Sequence, residues 1–159
     1  MNIKQLLVAS AVVLAATVPT TANIITPITL SLVNTMNFGS IAVSPAKGGT
    51  VILSPFGART ATGGVIVLHK ETAGAANFTL SGMADYTFSI TLPAYAILTD
   101  NAHHAILMNA FTCSPASTGT LSPIGTQTIS IGATIIIAAA QAPNSYTNST
   151  EIPVTINYN

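Results

Sequence analysis

The chain has 159 residues, of which 5% are charged and 49% hydrophobic, and its formal net charge is zero. The length suits one domain, and the charged share lies far below the roughly 25% of ordinary soluble domains. After Lys4 the cations are Lys47, Arg59 and Lys70, too few and too scattered to displace counterions from a nucleic acid. A single cysteine, Cys113, excludes an internal disulfide framework. Trp is absent, which weakens a carbohydrate-stacking role. The high hydrophobic fraction argues against disorder, so the solvent face must be built from Thr, Ser, Asn and Gly, whose hydroxyl and amide groups suit a pleated surface.

The first segment reads as an export signal. Met1 to Gln5 carries one positive charge, at Lys4, and Leu6 to Ala16 is an apolar run of about eleven residues. A membrane span needs roughly twenty. Pro19 breaks the run, and Thr20-Thr21-Ala22 offers small residues for cleavage between Ala22 and Asn23. The division expected is therefore a signal peptide over 1–22 and one domain over 23–159. The second apolar stretch, Ile131 to Ala142, is too short to span a membrane and predicts a buried strand.

From Asn23 onward the hydrophobic period is two, not 3.6. Ile28, Leu30 and Leu32 alternate with Thr29 and Ser31, and Phe78 and Leu80 with Thr79 and Ser81. The segment Tyr86–Leu92 alternates in the same way, as do Ile129 and Ile131 and the terminal Val154, Ile156 and Tyr158. Over 106–113 the same rule places Leu107, Asn109, Phe111 and Cys113 on one face and Ile106, Met108, Ala110 and Thr112 on the other. Gly48-Gly49-Thr50-Val51-Ile52-Leu53 is echoed by Gly63-Gly64-Val65-Ile66-Val67-Leu68. The echo predicts two similar strands meeting across Pro55 to Arg59. Turn signals such as Ser54-Pro55-Phe56-Gly57, Ser122-Pro123-Ile124-Gly125 and Ala142-Pro143-Asn144 punctuate the runs. Strands recurring at about this spacing predict an antiparallel sandwich or barrel.

Catalytic chemistry is not written into the chain. There is no G-x-S-x-G elbow and no helix to follow one. The acids Glu71, Asp85, Asp100 and Glu151 fall in expected turns or strand ends. Asp100, His103 and His104, with His69, form the best metal candidate. Adjacent residues of a strand point to opposite faces, so a polar loop before Ala105 is the simpler reading and no metal ligand is assigned. Cys113 is expected to be a buried, unreactive thiol, with an intermolecular disulfide as the alternative. No cofactor is expected: neither Gly pair carries the Lys or the helix of a phosphate loop. Asn77-Phe78-Thr79 and Asn148-Ser149-Thr150 match the glycosylation triplet, which is short enough to occur by chance.

Several segments, in order, resemble a bacterial exported family known as domain of unknown function 4402. They are Met36-Asn37-Phe38-Gly39-Ser40-Ile41, Gly49–Ser54, Ala58–Val65, Tyr86–Leu92, Gly132-Ala133-Thr134, Gln141-Ala142-Pro143 and Val154–Tyr158. Together they span nearly the whole chain after the signal. Asn144–Asn148 departs from the Gly-containing turns expected there. The resemblance implies an immunoglobulin-like, Greek-key β-sandwich outside the cytoplasm (periplasm, cell surface or extracellular space), with no catalytic residues. It also implies a distant likeness to fimbrial subunits, whose alternating N-terminal segment and penultimate aromatic match Ile28–Leu32 and Tyr158. The cysteine pair of many such subunits is missing here.

Two functions follow as expectations. The first is a structural subunit that self-associates into a filament or matrix by β-strand donation. Ile24, Ile25, Ile28, Leu30 and Leu32 would be the donor knobs, and Val154, Ile156 and Tyr158 a C-terminal assembly strand. The same N-terminal segment could equally be the first strand of its own sandwich, paired internally. The second function is a monomeric adhesin or glycan-binding sandwich, for which Tyr95, Tyr146 and Tyr158 are the available aromatics.

Overall fold

A computed structural model describes residues 21–69, 71–148 and 150–159. The expected signal peptide lies outside the described residues, apart from Thr21 and Ala22. The described chain holds β-strands and no helix. In chain order these are β1 (Thr29–Asn34), β2 (Ile41–Val43), β3 (Gly49–Leu53), β4 (Arg59–Gly63), β5 (Val65–Val67), β6 (Ala76–Ser81) and β7 (Thr87–Thr91). They continue with β8 (Tyr95–Thr99), β9 (Ala105–Ser114), β10 (Thr118–Thr120), β11 (Thr126–Ile137), β12 (Thr147–Asn148) and β13 (Thr155–Tyr158). Every strand pair is antiparallel.

The large sheet runs β1-β6-β11-β9-β8-β12, and the β3–β4 hairpin joins it along β11. Its spine is β11, whose first half pairs with β6 up to Ile131↔Ala76 and whose second half pairs with β3 from Ala133↔Leu53. Gly132 sits at the change of partner, where an added Cβ would fall on the Leu53 carbonyl oxygen. The close approach of two backbones requires glycine there.

Two smaller sheets cover the inner face of the large one, giving an all-β, sandwich-like arrangement. Strands β10-β7-β13 set Phe88, Ile90, Ile156 and Tyr158 against Leu80, Ile129 and Ile131. Strands β2-β5 set Ile41, Val43, Val65 and Val67 against Val51, Met108, Ile135 and Ile137. Met36 and Phe111 touch both clusters and join them into one core. Phe88 is fully buried, and Gly119, its partner on β10, leaves room for the ring. Arg59 reaches from β4 to the Phe38 carbonyl (2.7 Å) and the Leu68 carbonyl (3.0 Å), tying the hairpin to the β2–β5 cover.

Two of the expected turns share one design. In Ser54–Ala58 and Ser122–Thr126, Gly57 and Gly125 take positive φ of 82° and 74° and donate to the Ser54 and Ser122 carbonyls. In each, the serine hydroxyl accepts the N–H four residues on, at 3.1 Å.

Three local expectations are corrected. The echoed Val65–Leu68 segment does not pair across the turn with Gly49–Leu53. That partner is Arg59–Gly63, and Gly63, at φ 71°, redirects the chain so that β5 pairs with β2. The strand expected over 131–142 ends at Ile137. On β9 the simple alternation fails at Ala110, whose φ is 47°. The register with β11 shifts there, between Gly132↔Thr112 and Thr134↔Asn109. This β-bulge leaves Leu107 on the outside while Phe111 and Cys113 turn into the core.

Candidate functional site

The leading segment and the last strand, the two regions singled out for assembly, meet in space. β1 pairs with β6 alone and β13 with β7 alone, so each presents an edge with no partner among the described strands. Between them lies a seam of about 300 Å³ lined by Ile28, Thr29, Leu30, Leu80, Val154, Thr155 and Ile156. Leu80, 1% exposed, packs in the core beneath it. The period-two pattern explains the lining: Ile28 and Leu30 turn toward the core, as do Val154, Ile156 and Tyr158.

The five donor residues do not behave as one unit. Leu30 and Leu32 belong to β1 and pair internally, opposite Leu80 and Phe78. Ile24, Ile25 and Ile28 precede every strand. Ile24 is 94% exposed, Ile25 is half-buried, and Ile28 packs on the core. The leading segment is fastened to the last strand by the Tyr158 hydroxyl, which donates to the Thr26 carbonyl at 2.8 Å and accepts the Met83 N–H at 2.6 Å. Thr26 and Met83 carry no pattern that sequence reading could have used, since only their backbone takes part.

A second concavity, a groove of about 1040 Å³, opens beside the β2–β5 cover. Phe38, Ile41, Met108, Ile135, Tyr146 and Ile152 line it, with Asn37, Ser40, Gln141 and Asn148 among its polar residues. Tyr146 is held by donating to the Ala142 carbonyl (2.8 Å) and accepting from the Gln141 amide (2.9 Å). The three tyrosines stand apart: Tyr146 in the groove, Tyr95 exposed on β8, and Tyr158 edge-on to Tyr86 at 5.6 Å.

The Asp100–His104 segment is a closed loop. Asp100 is 6% exposed and accepts from the Ala102 and His104 N–H groups (2.9 and 2.8 Å). Its other oxygen lies 2.7 Å from the His104 ring and 3.1 Å from the Asn144 amide. Burial opposes the charge, but these hydrogen bonds from His104 and Asn144 outweigh it and hold the carboxyl below its ordinary value. His103, at φ 64°, forms the turn, and His69 is exposed. Among the described residues no group of three or more His, Cys, Asp or Glu could hold a metal ion. Glu71, Asp85 and Glu151 are exposed, and Cys113 is half-buried with no disulfide.

Fold and seam together define an antiparallel, sandwich-like β-domain with two facing open edge strands. The chain belongs to the family described as Domain of unknown function (DUF4402), whose model matches residues 28–158. The matched span runs from the first residue lining the seam to the last residue of β13. Comparisons with curated proteins and with solved structures found no match.

Proposed function

We propose that the chain is a non-enzymatic, exported structural subunit of a bacterial surface filament, pilus-like fibre or extracellular matrix, with an immunoglobulin-like sandwich and assembly by strand donation. The observation that carries this reading is the unpartnered edge of β13 beside the seam over Leu80. An extended segment laid there gains main-chain hydrogen bonds from β13 and seats alternate side chains in the seam. The donor is the stretch before β1, residues 23–28, released from its own Tyr158–Thr26 hydrogen bond and Ile28 contact, while Leu30 and Leu32 stay paired with β6. The low charge supports close stacking, since an edge with few charges is weakly protected against pairing.

The test is negative-stain electron microscopy of the purified protein, beside cells with and without the chain. Fibres that vanish when residues 23–28 are deleted are the expected result. Uniform monomers and bare cells would overturn the proposal.

A second reading, a monomeric glycan-binding adhesin, is favoured by the groove around Tyr146, where an aromatic ring stands among amide and hydroxyl groups, with Glu71 also in the lining. It predicts saccharide binding that Tyr146→Ala abolishes, read by a glycan array.

A further inference from the structure

We propose that the outer face of the large sheet is a self-association surface, on which a second copy of this chain packs sheet to sheet. The registers align two rows across five strands. One row is Thr62, Thr50, Ile136, Leu107 and Ile97. The next is Thr60, Ile52, Thr134, Asn109 and Tyr95. Their large apolar members all face outward: Ile52, Tyr95, Ile97, Leu107 and Ile136 are 36–65% exposed. Toward the other end of the face the rows become hydroxyl-bearing, with Thr128, Thr79 and Ser31 in register, then Thr126, Ser81 and Thr29.

Isolated exposed aliphatics are ordinary, but a contiguous apolar stripe marks an interaction site. The stripe here follows from strand register rather than accident, since Ile136, Leu107 and Ile97 stand directly opposite one another on three adjacent strands.

Charge and area point to a second copy as the occupant. Among all strands of this sheet the one charged residue is Arg59, and it turns to the opposite face, toward the Phe38 and Leu68 carbonyls. Two identical faces therefore meet without like-charge repulsion, whereas a charged partner finds no counter-charge. With strands about 4.8 Å apart and about 3.4 Å per residue, the five-strand apolar half measures about 24 by 17 Å, and the hydroxyl-bearing half over β11, β6 and β1 adds about 14 by 20 Å. Together that is roughly 700 Å² per copy, close to the roughly 800 Å² per partner of a standard stable interface. The contact is distinct from the β1–β13 seam and does not depend on strand donation.

Sedimentation velocity of the purified protein over a roughly hundredfold concentration range tests it. The expected result is a dimer, insensitive to salt, that the double variant Leu107→Lys/Ile136→Lys weakens by about tenfold or more while the circular dichroism spectrum is unchanged. Tyr95→Lys on the same face gives the same readout should the double variant fail to fold. Deletion of residues 23–28 leaves the dimer intact. A protein that stays monomeric throughout overturns the proposal, including one held instead on an insoluble polysaccharide through this face. So does a dimer that survives the lysine variants, or one that dissolves when residues 23–28 are removed.

Discussion

The Tyr158 hydroxyl and the Thr26 carbonyl are joined at 2.8 Å across 132 positions of chain. The bond ties the leading segment to the last strand, and Gly82 makes room for it, since an added Cβ there would fall on the Tyr158 hydroxyl. The same oxygen accepts the Met83 N–H, so Tyr158→Phe removes a donor from one partner and an acceptor from the other. At about 1 kcal/mol net for each hydrogen bond, urea denaturation should show a loss of about 1–2 kcal/mol. Limited proteolysis between residues 21 and 28 should accelerate in parallel.

The bulge at Ala110 can be tested by separating backbone from side chain. Ala110→Gly relieves a left-handed residue but adds chain entropy to the unfolded state, so stability should hold within about 0.5 kcal/mol. Ala110→Val places a β-branched residue at positive φ and should cost about 1–2 kcal/mol. Phe111→Ala, which removes one of the two side chains joining the core clusters, should cost about 3 kcal/mol. Chemical denaturation of the three variants checks the order.

Gly132→Ala should be the most damaging single-methyl change on β11. Its Cβ meets backbone, the Leu53 carbonyl and the Ser54–Pro55 peptide, rather than a side chain that could move. A loss of roughly 2–3 kcal/mol is expected, read as a lowered Tm with the β-sheet spectrum retained.

Asp100 gives the chain an acid-sensitive loop. Its folded carboxyl titrates below the ordinary value of 3.8. Its contribution is therefore complete above the unfolded value and is lost as pH falls through the lowered folded one. Asp100→Asn should lower Tm at neutral pH, and the gap from the native chain should close as the pH drops below 3.8. Thermal melts across that window measure it. A gap that stays constant with pH would show that the ionised form gives no advantage.

The fold was legible wherever one face of a strand is wet and the other dry. Tyr86–Leu92 and Val154–Tyr158 alternate cleanly, and they became β7 and β13 within a residue or two of each end. β4 escaped notice because Arg59-Thr60-Ala61-Thr62-Gly63 has no large aliphatic side chain. It lies at the margin of the sheet, where Ala61 meets the core and Thr60 and Thr62 meet water. The echo of β3 itself, Val65–Val67, looked its better partner by composition, but the chain turns at Gly63, at positive φ, and β5 pairs with β2 instead. The bulge was hidden for a different reason: alanine carries no turn signal, so nothing local marks position 110. Of the assembly residues, Ile156 and Tyr158 fall on β13 and Val154 just before it, and all three pack toward the core. The sequence could not divide the leading segment, because the boundary at Thr29 is set by where β6 ends rather than by any change of composition. Leu32 shows the limit of alternation: it lies opposite Phe78 on the inner side, yet is 56% exposed, because its edge strand has a neighbour on one flank only.

The position of β11 in the chain carries a consequence for timing. This strand pairs with β6, β9 and β3, and it is the eleventh of the thirteen strands among the described residues. A chain emerging from its N-terminus, from a ribosome or through a narrow channel, can close local hairpins such as β3–β4 and β8–β9 early. It cannot assemble the large sheet until residue 137 has emerged, when all but the last two strands are already out. Contacts so distant along the sequence slow folding, and the large sheet stays open until that late point in synthesis.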